Sequence, residues 1–167
     1  MPTCLYLRGV PGTGKRTVSD ILERDLKWPV LWCHHFDATY KAIGEHRCPV
    51  LTDELMRVVA EHLMDDGRDF LAVRPSRSID SIWSMEYLAD QYLYTFLPVR
   101  LTAPYATLCT RVTRRWHESE FRITTKEALD EYLNARPETE FPGEHVIDTE
   151  RLTPEQVAGR IKELLPK

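Results

Sequence analysis

The chain is poor in the features that define several large protein classes. No apolar run approaches the roughly 20 residues needed to cross a bilayer, so no membrane-spanning helix and no membrane partner are expected. Four cysteines (Cys4, Cys33, Cys48, Cys109) include no CxxC pair, which argues for reduced thiols over a disulfide framework. Cys33, His34, His35, His46 and Cys48 lie close in sequence, but their spacing matches no common zinc pattern. Excess positive charge is also missing. Lys and Arg number 22 against 26 Asp and Glu, a net charge of −4, so no general attraction to nucleic acid is expected. A local basic groove is compatible with that balance, because attraction depends on where charges sit. The N-terminal residues lack a signal-peptide pattern, and a cytoplasmic protein is the expectation. There is no internal repeat or low-complexity tract.

What remains is an ordinary globular composition, 43% hydrophobic and 29% charged over 167 residues, enough for one domain with a buried core. Strand and helix signals alternate along it. Cys4–Arg8 reads as a strand, and Val18, Ile21, Leu22 and Leu26 form one helical face. Pro29–Phe36 reads as a second strand. Thr52, followed by Asp53 and Glu54, reads as a helix N-cap, with that helix stopping near Gly67. Phe70–Val73, Phe96–Leu101 and His145–Asp148 are further strands. Helices are expected over Ile79–Tyr92, from Tyr105 to Trp116, and over Lys126–Leu133. Thr153-Pro-Glu-Gln156 reads as a capping box opening a last helix. This alternation implies an α/β fold: a parallel sheet with helices on both faces.

The densest chemistry lies in Gly9-Val-Pro-Gly12-Thr13-Gly14-Lys15, between a predicted strand and a predicted helix. Glycines let successive backbone N–H groups turn inward on phosphate oxygens. The helix N-terminus adds partial positive charge, and Lys15 adds a mobile cation. Arg16 occupies the place where Ser or Thr usually binds Mg²⁺, and Thr17 follows one step later. The pattern GxPGxGKxT resembles the adenylate-kinase style of P-loop, in which the hydroxyl also comes second.

Over nearly its full length the chain resembles the small P-loop kinases of the nucleoside, nucleotide and polynucleotide kinase group. The resemblance implies a P-loop NTPase fold with a five-stranded parallel sheet. It also implies a single domain over 1–167 with an arginine-bearing lid at about 114–135, and ATP and Mg²⁺ as cofactors. Carried onto this sequence, it puts ATP on Gly9, Gly12, Thr13, Gly14, Lys15, Arg16, Thr17 and Arg111, with Thr17 as the Mg²⁺ contact. In such kinases an acid after the second strand orients or deprotonates the acceptor hydroxyl, and Asp37 stands there. TRVTRRWHESEFR resembles the lid. Arg111, Arg114, Arg115 and Arg122 fall within it, and Arg114 and Arg115 join Lys15 and Asp37 as expected catalytic groups. Asp148 and Thr149 resemble the adenine-side loop.

The strand that usually ends in a Walker B aspartate ends here in Arg74. With Arg77 it would suit an anionic acceptor, and the bland alternative for both is ion pairing. His34 and His35 would lie on opposite faces of a strand, one lining the acceptor pocket and the other packed inside. Trp28, Trp32, Tyr40, Trp83 and Tyr87 are either stacking platforms or core.

The acceptor is the open point. A hydroxyl on a nucleoside or nucleic acid is ranked first, including a hydroxymethylated pyrimidine in DNA, and a small-metabolite hydroxyl belongs to the same reading. A nucleoside monophosphate is the alternative, and a non-catalytic nucleotide-binding module is a third. The GTPase signatures DxxG and NKxD are absent.

Overall fold

The computed structural model describes residues 1–44, 49–75, 79–114, 123–135 and 137–166. His46, Cys48, Arg77, Arg115, Trp116 and Arg122 lie outside the described residues.

Strand β1 (Thr3–Gly9) is buried along its length and carries Leu5 and Leu7 on one face, with Cys4, Tyr6 and Arg8 on the other. The remaining elements follow as α1 (Lys15–Leu26), β2 (Val30–Trp32), a 3₁₀ turn (Cys33–Phe36), α2 (Asp37–Ala42) and α3 (Pro49–Asp65). Then come β3 (Phe70–Pro75), α4 (Ile79–Gln91), β4 (Thr95–Thr102), α5 (Tyr105–Thr113), α6 (Lys126–Ala135), β5 (His145–Asp148) and α7 (Pro154–Glu163). The five strands form one sheet in the order β2-β3-β1-β4-β5, every described pairing parallel.

Parallel strands are buried on both faces, and their alternating side chains feed two apolar layers. Val18, Ile21 and Leu22 of α1 and Val157, Ala158 and Ile161 of α7 pack on Leu5, Leu7, Val73, Val99 and Leu101. Met56, Ala60 and Leu63 of α3 and Ile82, Met85 and Ala89 of α4 pack on Cys4, Tyr6, Phe70 and Ala72. A third, smaller cluster joins Val10, Leu108, Val112 and Leu129, seating α5 and α6 over the loop after β1. Cys4, Cys33 and Cys109 are thiols.

Three local expectations are corrected. The strand expected over Pro29–Phe36 ends at Trp32, and Cys33–Phe36 forms a 3₁₀ turn running into α2. Such a turn brings residues i and i+3 together, and two i,i+3 contacts outweigh the β propensity here. They are His34 Nδ1 with Asp37 Oδ2 at 2.8 Å and the Trp32 N–H donating to His35 Nδ1 at 3.5 Å. Helix α3 starts at Pro49, so Thr52 is not its N-cap; it is buried and its hydroxyl pairs with that of Tyr40 at 2.8 Å. The α5 helix ends at Thr113, with Arg114 as its cap. At the C-terminal side the capping box forms as expected. Gln156 N–H donates to Thr153 Oγ1 at 3.3 Å, and Thr153 N–H donates to Gln156 Oε1 at 2.9 Å.

Candidate active site

The site is built at the carboxyl end of β1, where ligands of open α/β sheets bind. Gly9 leaves the strand with its α-carbon pressed on β4. A Cβ there would stand 2.5 Å from the Leu101 carbonyl oxygen and 2.8 Å from Thr13 Oγ1. Gly14 caps α1 with φ +90°, a conformation that glycine adopts without penalty. Thr13 is buried, and its hydroxyl donates to the Val10 carbonyl at 2.9 Å, locking the loop. Lys15 folds back over that loop, donating to the carbonyl oxygens of Gly9 and Val10, the latter at 2.9 Å. A lysine bridging its own loop carbonyls is held at the place where phosphate charge would draw it outward.

Two cavities meet at this cradle. The larger, about 660 Å³, is lined by Gly12, Gly14, Lys15, Arg16 and Thr17 on one side. Trp32, His34, His35, Asp37 and Arg74 line the other. The second, about 370 Å³, shares Gly12, Gly14 and Thr17 and continues along Arg111, Thr149, Leu152 and Val157. Arg111 is the joint of that second space. Its guanidinium donates to the Gly12 carbonyl at 3.3 Å, to Thr149 Oγ1 at 2.8 Å and to the Thr149 carbonyl at 2.7 Å. It therefore ties α5, the glycine loop and the segment after β5 into one wall. Thr149 is itself fixed to β4, donating its N–H to the Thr102 carbonyl at 2.9 Å.

On the acceptor side both histidines line the same cavity, because a 3₁₀ turn does not alternate faces as a strand does. This departs from the expectation that one would pack inside. His34 and Asp37 are paired and partly exposed, at 37% and 19%. Arg74 reaches the cavity wall but is 93% buried, ion-paired with Asp53 and donating to the Met56 sulfur at 3.0 Å. Its neighbour Tyr6 shows how closed this corner is. Burial pushes the phenol up to about 12, even though the Arg74 cation pulls the other way. Asp53 was not singled out in the sequence, where it reads as a first-turn acid; only the packing of α3 against β3 brings it to Arg74.

The remaining expected residues fall as follows. Arg16 and Thr17 are exposed at the start of α1. Arg114 caps the carboxyl end of α5 and is exposed. Tyr40 is fully buried, which makes it core and no stacking platform. Trp32 lines the cavity, whereas Trp83 and Tyr87 lie exposed on α4 and Trp28 packs partly buried against the α1 and α7 layer. Asp20 and Glu23 are cavity residues that patterning of the sequence did not mark as site residues.

The donor set suits magnesium in one respect and departs in another. Mg²⁺ keeps several waters and takes only one or two protein oxygens beside substrate phosphates. Thr17 borders both cavities and offers such an oxygen. The position of the missing Walker B acid is held by the Arg74–Asp53 pair, so β3 contributes no carboxylate of its own. The set fits a metal carried in largely by the nucleotide.

No family model matches the chain, and no curated protein matches it. Solved structures do. A protein of Chloroflexus aurantiacus superposes with a TM-score of 0.77 at 17% identity, over 99% of each chain. A gluconokinase of Sinorhizobium meliloti gives 0.68 at 13% identity, covering 97% of this chain and 94% of that one. The APS kinase of Mycobacterium tuberculosis, solved with AMPPNP and APS, gives 0.70 at 14% identity, covering 98% and 96%. The sheet, the glycine loop and these likenesses agree on one conclusion: the chain has the P-loop NTPase fold, in the form found among small kinases.

Proposed function

We propose that the protein is an ATP-dependent kinase that moves the γ-phosphate onto a hydroxyl of a small acceptor. One observation carries this reading: a single cavity of about 660 Å³ is walled by the Lys15 cradle on one side and by the His34–Asp37 pair on the other. A phosphate donor held by the first faces a proton acceptor in the second. Phosphoryl transfer asks a protein chiefly for such alignment and for charge neutralisation.

In this reading the triphosphate replaces the carbonyls that now hold Lys15, with the loop N–H groups and the N-terminus of α1 around it. The base and ribose occupy the space between Arg111, Thr149 and Val157. Mg²⁺, when bound, neutralises β- and γ-phosphate charge, and Thr17 would hold it. Arg114, at the end of α5, would add positive charge toward the phosphates, and Arg115 lies outside the described residues. The cavity size is that of a small-molecule site, within the usual ~300–1,000 Å³. The gluconokinase and APS kinase likenesses support a small acceptor over a polymer. A nucleoside fits the same space, and a nucleic-acid hydroxyl is the weaker form of the proposal. Arg74 gives little support to a free monophosphate acceptor, because Asp53 already neutralises it.

The test is γ-labelled ATP with Mg²⁺ against sugar acids, nucleosides, nucleoside monophosphates, 5′-hydroxyl DNA and DNA carrying hydroxymethylated pyrimidines. Label in a small hydroxyl compound is the expected result. Label only in diphosphates refutes the hydroxyl acceptor. Label in the polymers restores the nucleic-acid form, and ATP bound without transfer or hydrolysis refutes the kinase. Lys15→Ala should abolish transfer in every arm, because the phosphate charge is left uncompensated.

A further inference from the structure

Asp37 stands where the resemblance implies the acceptor's base, yet its carboxylate is not simply aimed into the cavity. Oδ2 lies 2.8 Å from His34 Nδ1, across one turn of 3₁₀ helix. An ionised carboxylate only accepts hydrogen bonds, so the neutral imidazole must carry its proton on Nδ1. The ring's lone pair then sits on Nε2. His34 is the more exposed of the two and lines the cavity that holds the phosphate cradle. The Trp32 ring stands beside the imidazole, with centroids 5.8 Å apart, and limits how far it turns.

We infer that His34 is the group that takes the acceptor's proton, and that Asp37 positions it and balances the imidazolium that forms. The inference rests on the kinase reading. As the acceptor oxygen bonds to the γ-phosphorus, its O–H proton passes to His34 Nε2. The bond from γ-phosphorus to the β,γ-bridging oxygen breaks, and its electron pair leaves with ADP. The imidazolium, held by Asp37, then releases its proton to solvent. An imidazole suits this duty near neutral pH, where it exchanges a proton readily.

Other charges face the same space and shape its pH response. Lys15, Arg16, Asp20 and Glu23 approach from α1, Arg74 from β3 and His35 from the same turn. His35 Nδ1 accepts from the Trp32 N–H, whereas His34 Nδ1 faces the Asp37 carboxylate as a donor.

The experiment combines two readouts on the full chain. The first is the tautomer of His34 by long-range ¹H–¹⁵N correlation in the resting protein, at a pH where the ring is neutral. The second is ADP release from MgATP with water as the acceptor, followed across pH. The proposal expects the proton on Nδ1 in the wild-type protein and a mixed tautomer in Asp37→Asn. His34→Asn keeps a donor toward Asp37 while removing the base, and turnover should fall about 10²-fold with ATP affinity unchanged. The acid limb of the pH profile should vanish in that variant, and added imidazole should restore turnover to His34→Ala. A proton found on Nε2, or wild-type turnover in His34→Asn, overturns the proposal. Loss confined to Asp37→Asn does the same and returns the role to the carboxylate. If the wild-type protein binds MgATP but neither releases ADP nor labels any acceptor of the panel, the kinase reading fails instead, whatever the tautomer.

Discussion

Glu144 is the residue whose loss should be felt most widely outside the site. Its carboxylate is 2% exposed and shared by two arginines from adjacent strands. Arg8 of β1 binds both of its oxygens, with Nη2 to Oε2 at 2.8 Å, and Arg100 of β4 approaches Oε2 through Nε at 3.1 Å. Arg8 and Arg100 are register partners, so two cations lie side by side in a nearly dry layer. Glu144→Gln would leave them facing a neutral amide. Breaking a buried pair costs about 3–5 kcal/mol. Glu138 and Glu140 each stand 3.8 Å from Arg100, but Glu140 is 90% exposed and compensates little. A loss of about 3 kcal/mol is therefore expected. A chain of this length has an unfolding entropy of about 0.35 kcal/mol/K, so Tm should drop by about 9 °C. Differential scanning calorimetry reads that directly. A companion variant replacing Arg8 and Arg100 with Met and Glu144 with Leu should recover most of it, since the unpaired charges cause the penalty. A Tm within 2 °C of wild type in Glu144→Gln would refute the argument.

Three further predictions follow from the geometry. Gly9→Ala puts a Cβ on the Leu101 carbonyl, where backbone has to move, and should cost about 1–3 kcal/mol in urea unfolding together with ATP binding; a variant that binds ATP normally would show that the loop tolerates the shift. Arg111→Met removes three hydrogen bonds joining Gly12 and Thr149 and should weaken ATP about 10-fold by calorimetric titration, with the fold unchanged in circular dichroism. Lys162 and Arg24 hold the Asp25 carboxyl below its ordinary range, so its stabilising pairing of α1 with α7 is complete above that range and lost as pH falls through the lower folded value. Stability measured against pH should lose part of its acid slope in Asp25→Asn, and an unchanged slope would remove the pair from the account.

The local signals in the sequence were strong wherever the chemistry is carried by neighbours along the chain. Gly9 to Thr17 forms its glycine loop from its own backbone turns between one strand and one helix, so nine residues specify it. The capping box at Thr153 and Gln156 is equally local and forms as read. The apolar faces of α1 and α7 were legible because a helix repeats its buried stripe every 3.6 residues. Readings failed where two weak local preferences competed. Cys33–Phe36 has strand composition, but the His34–Asp37 and Trp32–His35 contacts close it into a turn, and that decides which way both histidines face.

Contacts between residues far apart in the chain had no such signal. In the sequence Arg74 suited either an anionic acceptor or an ion pair, and only the packing of α3 on β3 chose the pair by setting Asp53 against it. Arg111 looked like one arginine of a lid; it proves to be a strut across 99 residues to Gly12 and 38 to Thr149. Arg8, Arg100 and Glu144 are unremarkable in sequence and become one buried cluster only through strand register. The sequence by itself determined the glycine loop after β1 and the alternation that builds a parallel sheet, because both arise from interactions within a few residues. The tertiary structure alone decided which charges are spent on each other and which face the cavity, because a charge is neutralised by whatever the fold brings within about 4 Å, however distant in the chain.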